Sequence, residues 1–236
     1  MKRVLAVVVV LVAVVTASTA TAGDGAGPFR VTVTVRDARV GVLLRAAGGG
    51  HFCTASVVDA PRRDLIVTAA HCLGGDGGLV FVPGYRDGRA PYGEWRLRRR
   101  FLARGWVEGR HEDSDVGFAV LAPRGGREVQ DVVGGNRFVT GTATGATGVT
   151  VTGYPDARER PVSCTDKPSA LGRTQQRVAC PGFSGGTSGS PWVNGAGRVV
   201  GVLGGHDRGG TTPGVSYSVV LGAEARRLYR RAVGNP

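Results

Sequence analysis

Three residue types able to support nucleophilic catalysis stand far apart in this chain, each at the edge of an apolar or glycine-rich run. Ser188 lies in Gly186-Thr187-Ser188-Gly189-Ser190-Pro191, His71 ends Val67-Thr68-Ala69-Ala70-His71, and Asp115 heads Asp115-Val116-Gly117-Phe118-Ala119-Val120-Leu121. A serine hydroxyl is a weak nucleophile until an adjacent base removes its proton and donors await the oxyanion that forms. Gly185, Gly186 and Gly189 let the backbone take positive φ and bring N–H groups up to a substrate carbonyl. In a chain with 40 glycines such a run alone would equally suit a surface turn. The histidine and aspartate upstream change that reading, because the order His, Asp, Ser matches one known arrangement of a nucleophilic triad.

On TAAHC around His71, SDVGFAVL around Asp115, GTSGSP around Ser188 and HFCTAS around Cys53, the sequence resembles the chymotrypsin-like (trypsin-fold) serine proteases, from His51 to Tyr217. Part of the likeness is to the glutamyl-endopeptidase-like branch. The resemblance implies a peptide or protein substrate and an acyl-enzyme intermediate. Ser188 would attack, His71 would act as general base and Asp115 would fix the imidazole. It also implies an oxyanion hole made by the N–H groups of Gly186 and Ser188. Asp113 competes as the acid, and Ser184 and Ser190 as the nucleophile. Asp115 is preferred because the apolar run begins directly after it, and Ser188 because GTSGSP aligns without gaps.

Departures from the family pattern bear on activation and specificity. Thr187 stands where trypsin-type enzymes carry an aspartate that pairs with a newly cut N-terminus, so cleavage at Arg39-Val40 would have no ion-pair partner to create. Gly182 occupies the place of the acid that selects basic side chains. Leu203 takes the position where the glutamyl-specific branch has a histidine, and His206 is expected on the rim or surface. Gly204 and Gly205 leave room for an extended substrate backbone to pair with this strand. A small or apolar preferred side chain is the resulting expectation.

The elements that must position these groups read as short strands. Phe29–Val35, Val40–Leu44, Thr54–Val58, Leu65–Thr68, Val80–Val82 and Val116–Leu121 come first, separated by Gly, Pro and Asp clusters. Gly125-Gly126 and Gly134-Gly135 bracket a connector. Val149–Gly153, Gly189–Val193, Arg198–Leu203 and Val215–Val220 then repeat the pattern. The expected fold is all-β: two antiparallel six-stranded β-barrels over 23–125 and 126–220 with the site between them, and a helical tail over 221–236. Leu221, Ala225, Leu228 and Ala232 recur at helical spacing, so that tail should be an amphipathic helix packed on the second barrel.

Lys2 and Arg3 followed by an apolar block from Val4 to Val15 and Ala20-Thr21-Ala22 read as a signal peptide over 1–22, cleaved before Gly23. The block is shorter than the ~20 residues of a spanning helix. A secreted, extracellular protein without membrane attachment is expected, monomeric by default. Four cysteines in an exported chain point to two bridges. The local pairing is Cys53 with Cys72 and Cys164 with Cys180, and its first bridge is the one the resemblance implies beside the histidine. No metal or cofactor is expected, since CxxC spacing is absent and His51, His71, His111 and His206 form no ligand motif.

The formal charge of +12 suits anionic surroundings. Yet the Arg96, Arg98, Arg99, Arg100 and Arg226, Arg227, Arg230, Arg231 groups lack the aromatic interleaving and fold of a nucleic-acid module, and read as solvated faces. An esterase of the α/β-hydrolase type is excluded, because Ser190 breaks the G-x-S-x-G elbow and the residue order is wrong. The competing reading is a secreted basic binding or adhesion protein that keeps the barrels with little or no turnover.

Overall fold

The structure is a computed structural model that describes residues 38–46, 48–212 and 214–234. The expected signal peptide and the expected strand Phe29–Val35 lie outside the described residues. Six strands, β1 (Val40–Arg45), β2 (Cys53–Val57), β3 (Leu65–Thr68), β4 (Leu79–Pro83), β5 (Trp95–Leu102) and β6 (Gly117–Leu121), close into an antiparallel barrel ordered β1-β2-β3-β6-β5-β4. Inward residues such as Leu43, Ala55, Ile66, Phe81, Trp95 and Leu121 are buried together. That packing is the physical reason a period-two apolar pattern closes here.

Eight strands follow: β7 (Arg137–Phe138), β8 (Val149–Gly153), β9 (Val162–Asp166), β10 (Ser169–Leu171), β11 (Gln175–Ala179), β12 (Pro191–Asn194), β13 (Arg198–Val202) and β14 (Val215–Val219). They form a five-stranded sheet, β7-β13-β12-β8-β9, and a three-stranded sheet, β10-β11-β14, joined by a bridge between Leu203 and Ser218. The fold is therefore mostly β and agrees with the two-barrel expectation. In the second half the wall is made of two sheets, and the short β7 runs parallel to β13.

Two helices were not expected. α1 (Arg104–Gly109) follows β5 and buries Trp106, while α2 (Val129–Val133) sits in the glycine-bracketed connector and buries Val129. The first arginine group belongs to β5, whose outer face it forms: Trp95 and Phe101 point inward, while Arg96, Arg98 and Arg99 are exposed. Arg100 instead folds back, donating to the carbonyl of Leu73 at 3.1 Å and to those of Gly75 and Gly77. Its guanidinium thereby holds the loop that leaves the His71 turn.

Both expected disulfides are present, Cys53–Cys72 and Cys164–Cys180. Each closes a short loop, a constraint on the unfolded chain worth about 3 kcal/mol.

The tail is helical, α3 (Ala223–Val233), but it does not pack on the second barrel alone. Its main strand contacts are with β6 and β5 of the first barrel. Ala225, Leu228 and Ala232 enter a cluster that includes Val67, Phe101 and Phe118 from the first half and Phe138, Val199 and Val219 from the second. An apolar stripe reveals which face of a helix is buried, not what lies opposite, which is why the expectation failed. Tyr229 donates to the carbonyl of Asp59 at 2.6 Å and Arg231 to that of Leu102 at 2.6 Å, both in the first half. Leu228 is 3% exposed, so Leu228→Ala should lower the unfolding free energy by about 2–5 kcal/mol. A urea melt checks this as a lower midpoint with little change in slope.

Candidate active site

His71 sits in a short 3-10 turn, Ala70–Leu73, directly after β3, and the Cys53–Cys72 bridge ties that turn to β2. Asp115 follows another 3-10 turn, Glu112–Ser114, at the mouth of β6. The two meet because β3 and β6 are neighbours in register, Thr68 opposite Gly117. Asp115 is fully buried. One carboxylate oxygen accepts the backbone N–H of His71 at 2.9 Å; the other lies 2.7 Å from His71 Nδ1 and accepts the N–H of Gly205 at 2.9 Å. A buried carboxylate requires such donors, and here they fix the Nδ1–H tautomer that leaves Nε2 available as a base.

Ser188 lies in the turn between β11 and β12 and is half-buried. Its hydroxyl donates to the carbonyl of Arg208 at 3.4 Å. Arg208 and Asp207 both adopt left-handed backbone, with φ of 55° and 48°. Asp113, the competing acid, accepts from Gln175 Nε2 at 2.8 Å. Ser190, a competing nucleophile, is buried and donates to the carbonyl of Thr187 at 2.7 Å. Ser184 is exposed, and its carbonyl accepts from Thr187.

Two peptide units of the Ser188 turn have their carbonyls held by partners. In a trans peptide the C=O and N–H of one unit point in opposite directions. The carbonyl of Gly185 is held by the N–H of Asp156 at 2.7 Å, which directs the N–H of Gly186 away from that contact. The carbonyl of Thr187 is held by Ser190 twice, through N–H at 3.0 Å and hydroxyl at 2.7 Å, which directs the N–H of Ser188 likewise. Among the described residues, no backbone carbonyl accepts from Gly186 or Ser188. Gly186, at φ 87°, leaves no space for a side chain: a Cβ there would stand 2.5 Å from the nitrogen of Asp156.

The residues linked to specificity fall around this turn. Gly182 is exposed at φ 85°, with open space where a side chain would go. Leu203 is buried among Val178, Trp192, Val200 and the Cys164–Cys180 bridge. Gly209 packs so closely on it that a Cβ there would meet Leu203 at 2.4 Å. Gly204 and Gly205 are buried behind Asp115. His206 is on the rim, its Nδ1 3.3 Å from Glu112 and its Nε2 3.5 Å from Asp207. These three groups could approach one ion, a juxtaposition that spacing along the chain did not reveal. Thr187 is 2% exposed and its hydroxyl is spent on Ser184. Thr187 itself offers no carboxylate to a new N-terminus.

Sequence reading missed Thr54, Asp156 and Gln175, whose contacts hold the turn and the approach to Asp115. Only the position of Thr54 within HFCTAS hints at its place. A groove of about 590 Å³ between α1 and α3, lined by Arg104, Glu108, Glu224, Arg227 and Arg231, includes none of His71, Asp115 or Ser188.

A family model described as a trypsin-like peptidase domain matches residues 53–202. Among solved structures, the protease Anisep from Arthrobacter nicotinovorans aligns with a TM-score of 0.77 at 26% identity, over 88% of this chain and 100% of that one. The thermostable serine protease AL20 from an extremophilic microorganism aligns with a TM-score of 0.75 at 26% identity, over 86% of this chain and all of its own. A Glu endopeptidase shares the fold at 16% identity, with a TM-score of 0.72 over 88% of this chain and 97% of its own. By sequence, no curated protein matches the chain.

Gly189 is the tightest point of the site. At φ 88° its absent Cβ would lie 2.0 Å from the carbonyl oxygen of Thr54 and 2.1 Å from Thr68 Oγ1. Left-handed strain and overpacking together make Gly189→Ala cost at least about 2 kcal/mol. The expected result is a lower thermal midpoint and a displaced Ser188 turn, checked by calorimetry.

Proposed function

The chain belongs to the trypsin-like peptidase domain family, and from that membership we propose that it is a secreted serine endopeptidase working through His71, Asp115 and Ser188. The observation that carries this reading is the hydrogen bond of His71 Nδ1 to a buried Asp115, beside a serine turn in which, among the described residues, no backbone carbonyl accepts from Gly186 or Ser188.

Ser188 Oγ attacks the scissile carbonyl as His71 Nε2 takes its proton, forming the C–O bond and placing negative charge on the former carbonyl oxygen. The N–H groups of Gly186 and Ser188 receive that charge; losing one such donor costs about 2.7–4 kcal/mol in a comparable site. Protonated His71, stabilised by Asp115, then delivers its proton to the leaving amine as the C–N bond breaks. Water repeats the sequence on the acyl-enzyme and releases the acid. A hydroxyl has one proton to donate, so Ser188 must turn from Arg208 towards His71 before the first step.

The lack of an acid at Gly182 supports a small or apolar residue at the scissile bond. Two disulfides support an extracellular setting. Among the described residues no helix is long and apolar enough to cross a membrane. A second reading, a basic binding protein without turnover, is favoured by one observation: the Ser188 hydroxyl is engaged by Arg208.

A fluorophosphonate probe separates the two. Labelling that disappears in Ser188→Ala supports the peptidase, and an unlabelled parent supports the binding protein. Asp115→Asn should keep the fold yet lower kcat by about ten-thousandfold, because the histidine is then held in the wrong tautomer. A peptide-library profile with strict Arg, Lys or Glu preference would overturn the specificity assignment.

A further inference from the structure

Thr54 is the second residue of β2 and is fully buried, yet most of its polar atoms are engaged with the opposite half of the molecule. Its N–H donates to the carbonyl of Ser188 at 2.7 Å. Its hydroxyl donates to the carbonyl of Gly186 at 3.0 Å and accepts the N–H of Tyr154 at 2.9 Å. Its own carbonyl accepts from Thr68 Oγ1 at 2.7 Å, which anchors it to β3 just before the His71 turn. Asp156, two residues beyond Tyr154, holds the carbonyl of Gly185. Both peptide planes that meet at Gly186 are therefore tied, one directly to Thr54 and the other to the segment that Thr54 holds.

We propose that Thr54 is a positioning residue for the oxyanion hole: its hydroxyl holds the Gly186 carbonyl and the Tyr154 N–H, and through the Tyr154–Asp156 segment, whose Asp156 N–H holds the Gly185 carbonyl, it sets the direction of the Gly186 N–H relative to Ser188. This rests on the peptidase reading above. The chemistry of one hydroxyl suits the place, because Gly186 offers an acceptor and Tyr154 a donor, and a single O–H satisfies both. An apolar side chain of the same shape would leave a buried carbonyl and a buried N–H without these partners, loosening the Gly186–Thr187 peptide, which would keep only the Thr187 N–H contact to Ser184, and the Tyr154–Asp156 segment that holds the Gly185 carbonyl. Hydrogen-bond donors aimed at developing charge act only when they are held in place beforehand.

The experiment compares Thr54→Val, which keeps the shape and removes the hydroxyl, with Thr54→Ser, which keeps the hydroxyl. The expected result for Thr54→Val is a fall in kcat of about 10-fold to 100-fold with KM nearly unchanged, the signature of an interaction made in the transition state. Thr54→Ser should recover most of the loss. The amide resonances of Gly186 and Ser188, read without substrate, should move in Thr54→Val and stay near the parent in Thr54→Ser. If Thr54→Val does not fold, Thr54→Ala serves, since it removes the hydroxyl without pressing a methyl against Tyr154. Equal kcat and equal resonances in the hydroxyl-free and serine variants would overturn the proposal, whatever the change in melting temperature. Failure of the peptidase reading looks different: the parent itself would show no turnover that Ser188→Ala removes, and the resonances would still judge Thr54.

Discussion

Everything at the cleft depends on one buried negative charge. Asp115 is out of contact with water, and three N–H groups converge on it: the backbone and ring of His71, and the backbone of Gly205. A carboxylate so placed is tolerable only while these donors stay in position, because removing one partner exposes the full desolvation penalty of the group. Two donors come from the first barrel and the third from the segment after β13. The charge thus joins the halves of the molecule as well as orienting an imidazole.

A second set of polar contacts crosses the same boundary. Thr54 reaches from β2 to Gly186, Ser188 and Tyr154, and Gln175 reaches from β11 to Asp113, two residues before the buried acid. The shared apolar cluster lies nearby, with α3 laid across β5 and β6. Hydrophobic burial holds the barrels together without specifying their angle, and directional hydrogen bonds supply that specification.

The legible parts of the chain were those where one physical rule acts alone. β3 and β8 were read with the bounds they have in the structure, because Leu65–Thr68 and Val149–Gly153 are short β-type runs between turn residues. His71 and Ser188 drew attention through the small residues beside them, and Asp115 through the apolar run that begins directly after it. β5 was hidden by its arginines, which face solvent from a strand whose inner residues are Trp95 and Phe101. β11 was hidden because Gln175 and Gln176 are polar by composition but buried by position, each with a partner only the fold supplies. α3 was recognised, but its partner strands were not, since no pattern within a helix names the surface it will meet. The division of the second half into sheets of five and three strands likewise depends on pairings far apart in sequence.

The place of α3 also bears on the order of events during biosynthesis. This helix comes after both barrels in the chain, yet Ala225, Leu228 and Ala232 fill a core to which both contribute. While the ribosome is still making β14, neither half can finish burying its share of that core. A translating chain therefore holds His71 and Ser188 well before it holds the element that closes the space between their barrels, and its intermediates keep an apolar seam open until α3 has emerged.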